Sequence, residues 1–131
     1  MAGVYIDTSA LARVMLGEPD TLAITAAFAS FEHHFSSRLL AVELRRVALR
    51  EALPAVADAL LGSVALVPLD DPILVTAETL TPATVATLEA LHLATALRLA
   101  GAGLVTTLLT YDERLAAGSR THGLPALAPT A

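Results

Sequence analysis

Four acidic residues of this sequence interrupt otherwise apolar stretches, and together they could do chemistry. They are Asp7, Glu43, Glu89 and Asp112. Two carboxylates about 4 Å apart repel each other by about 4 kcal/mol at an effective dielectric constant near 20, so a cluster takes up protons or binds a cation. Because the chain has no cysteine and no histidine cluster, the fitting cation is a hard ion with oxygen ligands, Mg²⁺ or Mn²⁺. Such ions support the hydrolysis of phosphodiesters.

Each acid taken alone also has a structural interpretation, which stays open at this point. Asp7 follows an apolar run and can cap the next helix. Glu43 can form an ion pair with Arg46, three residues further along a helix, worth about 0.2–0.5 kcal/mol. Only convergence of the acids in space would favour the chemical interpretation over these structural ones.

The other two acids have similar alternatives. Glu89 and His92 are three residues apart and face the same side of an apolar helix, as a buried polar pair or as part of a site. For His92 a structural hydrogen-bonding role is favoured over metal ligation, because no second histidine stands at ligand spacing. Thr110 and Glu113 form a capping box, so Asp112 can be an acid in the first helical turn.

The elements that must position these acids alternate between β-rich runs and helical stretches. Predicted strands cover residues 4–6, 34–36, 64–69 and 104–107, with a last extended segment at 124–128. Predicted helices cover residues 9–16, 19–31, 38–53, 54–61, 71–80 and 83–100, with a short one after Thr110. This order implies parallel pairing in one three-layer α/β/α sandwich with a central, mainly parallel sheet, spanning residues 1–131 as a single domain. Ligands of such sheets bind beyond the carboxyl ends of the strands, where Asp7 and Asp112 fall.

Composition limits the classes of partner. The net charge of -5 argues against broad, nonspecific binding of nucleic acid, so any such contact must be local or bridged by metal ions. A hydrophobic fraction of 55% and a mean hydropathy of +0.65 suggest apolar surface that a partner covers. The longest apolar stretch, residues 53–69, is interrupted by two prolines and Asp58. We therefore expect a cytoplasmic protein with no membrane span and no signal peptide.

Several other enzyme and regulator classes lack a required residue. An aspartyl-nucleophile phosphatase needs a second acid two positions after Asp7, where Ser9 stands. A response-regulator receiver could use Asp70 and Asp71 but needs a lysine, and every basic side chain here is arginine. The chain also has no phosphate-binding P-loop.

Four segments in order resemble the motifs of PIN-domain nucleases, and in size and motif order the chain is similar to the VapC toxins of bacterial type II toxin–antitoxin pairs. The segments are residues 5–11 (YIDTSAL), 41–46 (AVELRR), 89–96 (EALHLATA) and 106–115 (TTLLTYDERL). The resemblance implies a PIN-like fold and an endoribonuclease that uses Mg²⁺ or Mn²⁺. It also implies an RNA substrate, a VapB-type antitoxin and a homodimer that forms a heterotetramer or larger assembly with that antitoxin.

The same resemblance assigns roles to individual residues. The four acids would form one shared Mg²⁺ or Mn²⁺ site. Asp7 and Glu89 would be its most direct ligands, Asp112 would complete the cluster, and Glu43 would orient or activate water. The supporting residues would be Thr8, Ser9 and His92. Contacts to RNA phosphates or antitoxin are expected from some of the arginines near these motifs, namely Arg13, Arg45, Arg46 and Arg114.

The chain departs from the family pattern at one position. Glu89 stands where the family usually has aspartate, and its extra methylene moves the carboxylate outward. That geometry suits Mn²⁺ better than Mg²⁺, which demands near-ideal octahedral coordination. Because of Glu89, the alternative function is a catalytically weak or inert PIN-like module that binds RNA or antitoxin without cutting.

Overall fold

A parallel sheet of five strands organises the part of the chain that the computed structural model describes, residues 2–130. The strands are β1 (Gly3–Ile6), β2 (His33–Ser37), β3 (Ala65–Val67), β4 (Thr107–Leu109) and β5 (Ala126–Leu127). The helices are α1 (Thr8–Met15), α2 (Thr21–Ala29), α3 (Arg38–Glu51), α4 (Pro54–Leu61), α5 (Asp71–Glu78), α6 (Thr87–Gly101) and α7 (Glu113–Thr121). No helix within these residues is long and apolar enough to cross a membrane.

The strand order β3-β2-β1-β4-β5 places a topological switch point beside β1. The chain forms β2 and then β3 on one side of β1, and it forms β4 on the other side of β1. All four strand pairs are parallel, and Ile6 lies opposite Leu109 in the register of β1 and β4. The carboxyl ends of β1 and β4 therefore flank the crevice where ligands bind in open α/β sheets.

Apolar clusters cover both faces of the sheet. Side chains alternate along a strand, so Val4 and Ile6 of β1 join a cluster with α1, α3 and α4. Tyr5 points the other way, into a cluster that includes Leu93 of α6 and Leu115 of α7. This confirms the predicted three-layer sandwich, with a sheet that is parallel throughout.

The prediction for β4 is wrong by about three residues, because the end of α6 occupies the predicted start. The N–H of Gly103 donates to the carbonyl of Ala100, and that of Leu104 donates to the carbonyl of Leu99. Gly103 has φ +76°, the left-handed conformation that ends helices in this way. Leu104 therefore belongs to the cap at the C-terminal end of α6, and β4 begins only at Thr107.

The predicted starts of α6 and α7 are also wrong. Residues 83–86 lie outside α6, and Glu89 receives a hydrogen bond of 2.8 Å from the N–H of Ala86, which fixes the helix start at Thr87. At α7 the N-cap is Asp112, whose Oδ1 accepts the N–H of Leu115 at 2.9 Å, so Thr110 and Glu113 form no capping box. The remaining predicted elements are present, with ends moved by a few residues.

Candidate active site

A pocket of about 170 Å³ opens at the carboxyl ends of β1 and β4, and it brings the four acids together. Its lining also contains every supporting residue expected from the sequence. The lining residues are Asp7, Thr8, Ser9, Glu43, Leu88, Glu89, His92 and Asp112. They come from the end of β1 and from helices α1, α3, α6 and the cap of α7, so distant segments converge on one place.

Asp7 is the most deeply buried acid of the pocket, with 5% of its surface exposed. Ser9 Oγ donates to its Oδ1 at 2.7 Å, and Thr110 Oγ1 donates to its Oδ2 at 2.7 Å. Burial raises the pKa of Asp7 above its usual range, and the hydrogen bonds from Ser9 and Thr110 and the nearby His92 offset only part of that effect. Asp7 also caps α1 through the N–H of Ala10, as its structural interpretation predicts, and it lines the pocket at the same time.

Two hydroxyl groups tie Asp7 to the segment that follows β4. Ser9 Oγ accepts the N–H of Tyr111 at 2.8 Å, and Thr110 Oγ1 accepts the N–H of Asp112 at 3.0 Å. Each hydroxyl therefore accepts a hydrogen bond from a backbone N–H that follows β4 and donates one to Asp7, which follows β1. Thr110 carries half of this connection and was not identified from the sequence as part of the site.

Glu43 enters the pocket from α3 and is held by two donors. Thr8 Oγ1 donates to its Oε1 at 2.6 Å, and His92 Nε2 lies 2.8 Å from the same oxygen. Partial burial acts to raise the pKa of Glu43, but the hydrogen bonds from His92 and Thr8 outweigh it and lower that pKa overall. The alternative ion pair with Arg46 is absent among the described residues.

His92 is buried and engaged at both ring nitrogens. Its Nδ1 lies 2.7 Å from the hydroxyl of Tyr5, on the side of the ring away from Glu43. The two rings meet edge to face, with centroids 5.8 Å apart. This arrangement agrees with the structural hydrogen-bonding role favoured for His92. Tyr5 was missed as a site residue, since an aromatic side chain in a buried strand has no feature that separates it from the core.

Glu89 and Asp112 interact directly across the mouth of the pocket. Asp112 raises the pKa of Glu89 through a hydrogen bond and its negative charge, and burial adds to this. Burial acts to raise the pKa of Asp112 too, but the hydrogen bond with Glu89 and the backbone N–H groups of α7 outweigh it, so that pKa is lowered. Of the two carboxylates, Glu89 therefore takes up a proton more readily, as expected where negative charge is in excess.

The donor set of the pocket fits a hard divalent cation. Its charged groups are four carboxylates, with neither sulfur nor an uncommitted imidazole, and a cation would relieve the repulsion among them. Within residues 2–130, however, no three acidic or histidine side chains surround one point as ready ligands. At least one oxygen of each acid accepts a hydrogen bond from a protein donor instead.

The four arginines expected to contact RNA or antitoxin fall into two groups. Arg13 pairs with Asp20 at 2.9 Å, and Arg45 pairs with Asp58. Arg46 and Arg114 are exposed and make no ion pair with any residue that the structure describes. The charge of Arg114 also acts on Glu89 and Asp112, which places it at the pocket.

Comparison with known proteins agrees with this geometry. The family model described as "PIN domain" matches residues 4–120. Ribonuclease VapC47 of Mycobacterium tuberculosis is 36% identical over 135 residues, covering 98% of each chain. Ribonuclease VapC46 of the same species is 33% identical over 132 residues, covering 99% of this chain and 100% of that relative.

A solved structure is similar in fold. It is the Mycobacterium tuberculosis toxin VapC20, described as cleaving the sarcin–ricin loop, and it matches with a TM-score of 0.70 over 87% of this chain and 93% of that one. At 17% identity this likeness bears on the fold alone. The family model and the sequence relatives together show that the chain belongs to the PIN-domain family, among the VapC ribonucleases.

Proposed function

We propose that this chain is a Mg²⁺- or Mn²⁺-dependent endoribonuclease, the toxin of a toxin–antitoxin pair, and that the pocket at β1 and β4 is its active site. The observation that carries the proposal is the convergence of Asp7, Glu43, Glu89 and Asp112 on one pocket of a PIN-domain fold. Separately, each acid had an adequate structural explanation. Their convergence costs repulsion that a purely structural cap or ion pair would not need.

Three of these acids are proposed to hold the metal. Asp7, at the base, and Glu89 and Asp112, at the mouth, would hold a shared ion with their carboxylate oxygens. Bound there, the ion would polarise the phosphodiester and lower the pKa of a water molecule. Glu43 keeps its second oxygen clear of Thr8 and His92, and we assign it the orientation of the attacking water.

Arg46 and Arg114 are the proposed phosphate contacts. Both are exposed without an ion-pair partner among residues 2–130, so neither must break a contact before binding RNA. Arg13 and Arg45 would first have to leave Asp20 and Asp58. Arg13 also lies 4.0 Å from the centre of the Tyr111 ring, which holds it further. A few local arginines would let a chain of net charge -5 bind a polyanion.

The proposed partners are a VapB-type antitoxin and a second copy of the chain. Large apolar side chains remain on the surface, including Leu22 at 84%, Leu49 at 66% and Val75 at 61% exposure. A groove of about 250 Å³ between α1, α2 and α4 is lined mainly by apolar residues such as Leu11 and Phe28. Surface of this kind is typical of a protein that binds partners. We further propose that the chain is one domain and acts in the cytoplasm, where RNA is available.

A second candidate function, an inert module that binds RNA or antitoxin, is favoured by one observation. Glu89 already serves α6 by accepting the N–H of Ala86 at 2.8 Å. A glutamate kept only as a cap would need no metal. The two candidates differ in a single respect that can be measured, which is metal-dependent cleavage.

The test is cleavage of a total-RNA or tRNA pool by purified protein with Mn²⁺, Mg²⁺ or EDTA, compared with Asp7→Asn. We expect discrete fragments that require metal and disappear in the variant. The control variant is Asp58→Asn, which also removes one carboxylate charge but lies on α4, outside the pocket. Identical patterns for wild type, Asp7→Asn and EDTA would contradict the proposal and favour the inert module.

A further inference from the structure

A line of hydrogen bonds runs from the core of the protein to the pocket. It begins at the hydroxyl of Tyr5 on β1, passes through both ring nitrogens of His92 on α6, and ends at Glu43 on α3. Tyr5 is fully buried and His92 is 3% exposed, whereas the Glu43 side chain is 25% exposed. Glu43 is therefore the member of the line that is most open to solvent, RNA or a metal ion.

The chemistry of the two end groups shows which atoms donate and which accept along this line of hydrogen bonds. Glu43 Oε1 also accepts from Thr8, and a carboxylate oxygen can only accept, so His92 Nε2 must carry a hydrogen. In a neutral ring Nδ1 then carries none and accepts from the Tyr5 hydroxyl. Burial raises the pKa of Tyr5, with Ser37 and Ser36 offsetting only part of that rise, so the hydroxyl keeps the proton that it donates.

We propose that Tyr5 is a positioning residue of this site, whose hydroxyl holds the His92 ring in the orientation that presents Nε2–H to Glu43. A histidine ring can flip and exchange its two nitrogens, and the partner of one nitrogen decides what the other presents. Without the hydroxyl, the ring would have no fixed donor at Nδ1. Glu43 would then lose the contact that fixes one oxygen and aims the other into the pocket.

The catalytic consequence of this inference rests on the proposed ribonuclease function, but the geometric part does not. His92 is the only contact between Tyr5 and Glu43 in this line, since Tyr5 itself does not line the pocket. Tyr5 therefore acts through another residue and touches neither substrate nor metal.

The tautomer can be read directly from the ring-nitrogen NMR signals of ¹⁵N-histidine-labelled protein without metal, at one neutral pH. The signals of His92 are those missing from a His92→Gln spectrum. We expect a single neutral tautomer in wild type, protonated at Nε2 and bare at Nδ1. A proton on Nδ1, in the other tautomer or in the doubly protonated ring, would overturn the proposal.

One substitution and its control then ask whether the hydroxyl fixes the ring. In Tyr5→Phe, which keeps the buried ring and removes only the hydroxyl, we expect the Nε2–H proton of His92 to exchange with solvent faster, because the ring loses one of its two hydrogen-bond partners. If Tyr5→Phe leaves that exchange unchanged, the hydroxyl does not position the ring and the proposal is wrong. The matched control is Tyr111→Phe, whose hydroxyl bonds to the carbonyl of Pro129 and should leave the His92 signals unchanged.

Kinetics supply the second readout. Removing a residue that orients a group of a metal site typically costs 10- to 100-fold in activity or affinity, so Tyr5→Phe should lower kcat about 10-fold. KM for RNA should stay unchanged because Tyr5 is fully buried. An unchanged kcat alongside faster exchange of the His92 ring proton would overturn the positioning role. A wild-type protein that cuts no RNA would contradict the proposed function, while the nitrogen spectra would still decide whether Tyr5 sets His92.

Discussion

Asp7→Asn should have two opposite effects on thermal stability, one without metal and one with it. Asparagine keeps the shape of aspartate and can still accept from Ser9 and cap α1. Without metal the variant loses a buried charge, so we expect a melting temperature above that of wild type. With metal it also loses a proposed ligand, so it should gain little or nothing from Mn²⁺ or Mg²⁺.

The size of the metal effect follows from mass action and chain length. An ion at 100 times its dissociation constant stabilises the folded state by about 2.7 kcal/mol. Globular proteins unfold with about 2.1 cal/mol/K of entropy per residue, which is about 0.28 kcal/mol/K for 131 residues. Wild type should therefore melt about 10 °C higher in saturating Mn²⁺ than in EDTA.

The effect without metal has a defined dependence on pH. The pKa of Asp7 is raised in the folded protein, so the folded state binds its proton more readily than the unfolded state. The contribution of Asp7 to stability therefore falls as pH rises through that raised pKa, and it recovers as pH is lowered. The advantage of Asp7→Asn should be largest above the raised pKa and should shrink as pH is lowered through it toward the ordinary pKa range of an aspartate.

The assay is calorimetry or dye-monitored melting across a metal titration, at neutral and acidic pH. Asp58→Asn is the control, because it breaks only an exposed pair with Arg45, worth less than about 1 kcal/mol. Its metal shift should equal that of wild type. The reasoning is refuted if Asp7→Asn retains the metal shift, or if wild type shows none up to millimolar Mn²⁺.

Three further changes test other parts of the molecule. Glu89→Asp should raise activity with Mg²⁺ relative to Mn²⁺, because a shorter arm suits the stricter octahedral ion; unchanged metal affinity and rate would remove Glu89 from the ligand set. Arg114→Gln should weaken RNA binding and reduce the slope of log affinity against log salt by about 0.7, whereas Arg45→Gln should change neither, as binding titrations at several salt concentrations would show. Gly3→Ala should destabilise by roughly 1–3 kcal/mol in denaturant melts, since the new Cβ would lie 2.0 Å from the carbonyl oxygen of Leu104; full stability would mean that β1 can shift away.

The architecture was predictable because its signals are local and repeated. Alternating β-rich and helical segments imply parallel strands with helical crossovers, and the protein has that arrangement. The errors lie where a long-range or capping contact determines the boundary of a helix or strand. The start of β4 was misplaced because the cap at Gly103 holds Leu104 on α6, and the start of α6 because Glu89 binds the N–H of Ala86.

The site was predictable in residue type and less so in contacts. Carboxylates that interrupt apolar segments are visible in the sequence, and Asp7, Glu43, Glu89 and Asp112 do line one pocket. Thr110 and Tyr5 were not identifiable in this way. A threonine after a strand and a tyrosine within one are ordinary residues, and their contacts with Asp7 and His92 span 103 and 87 positions of the chain.

For three of the four acids, the structure shows a capping contact at a helix start beside the proposed metal site. Asp7 caps α1, Asp112 caps α7, and Glu89 binds the backbone N–H that precedes α6. Three helix starts therefore point at one pocket, and the partial positive charge of each start offsets part of the repulsion among the carboxylates. Glu43 lies within α3 and has no helix start beside it, and it is the acid that His92 and Thr8 hold instead. The fold thus has a compensating group for every acid before any cation arrives, and we therefore expect the metal-free protein to be folded and metal to add stability rather than create the fold.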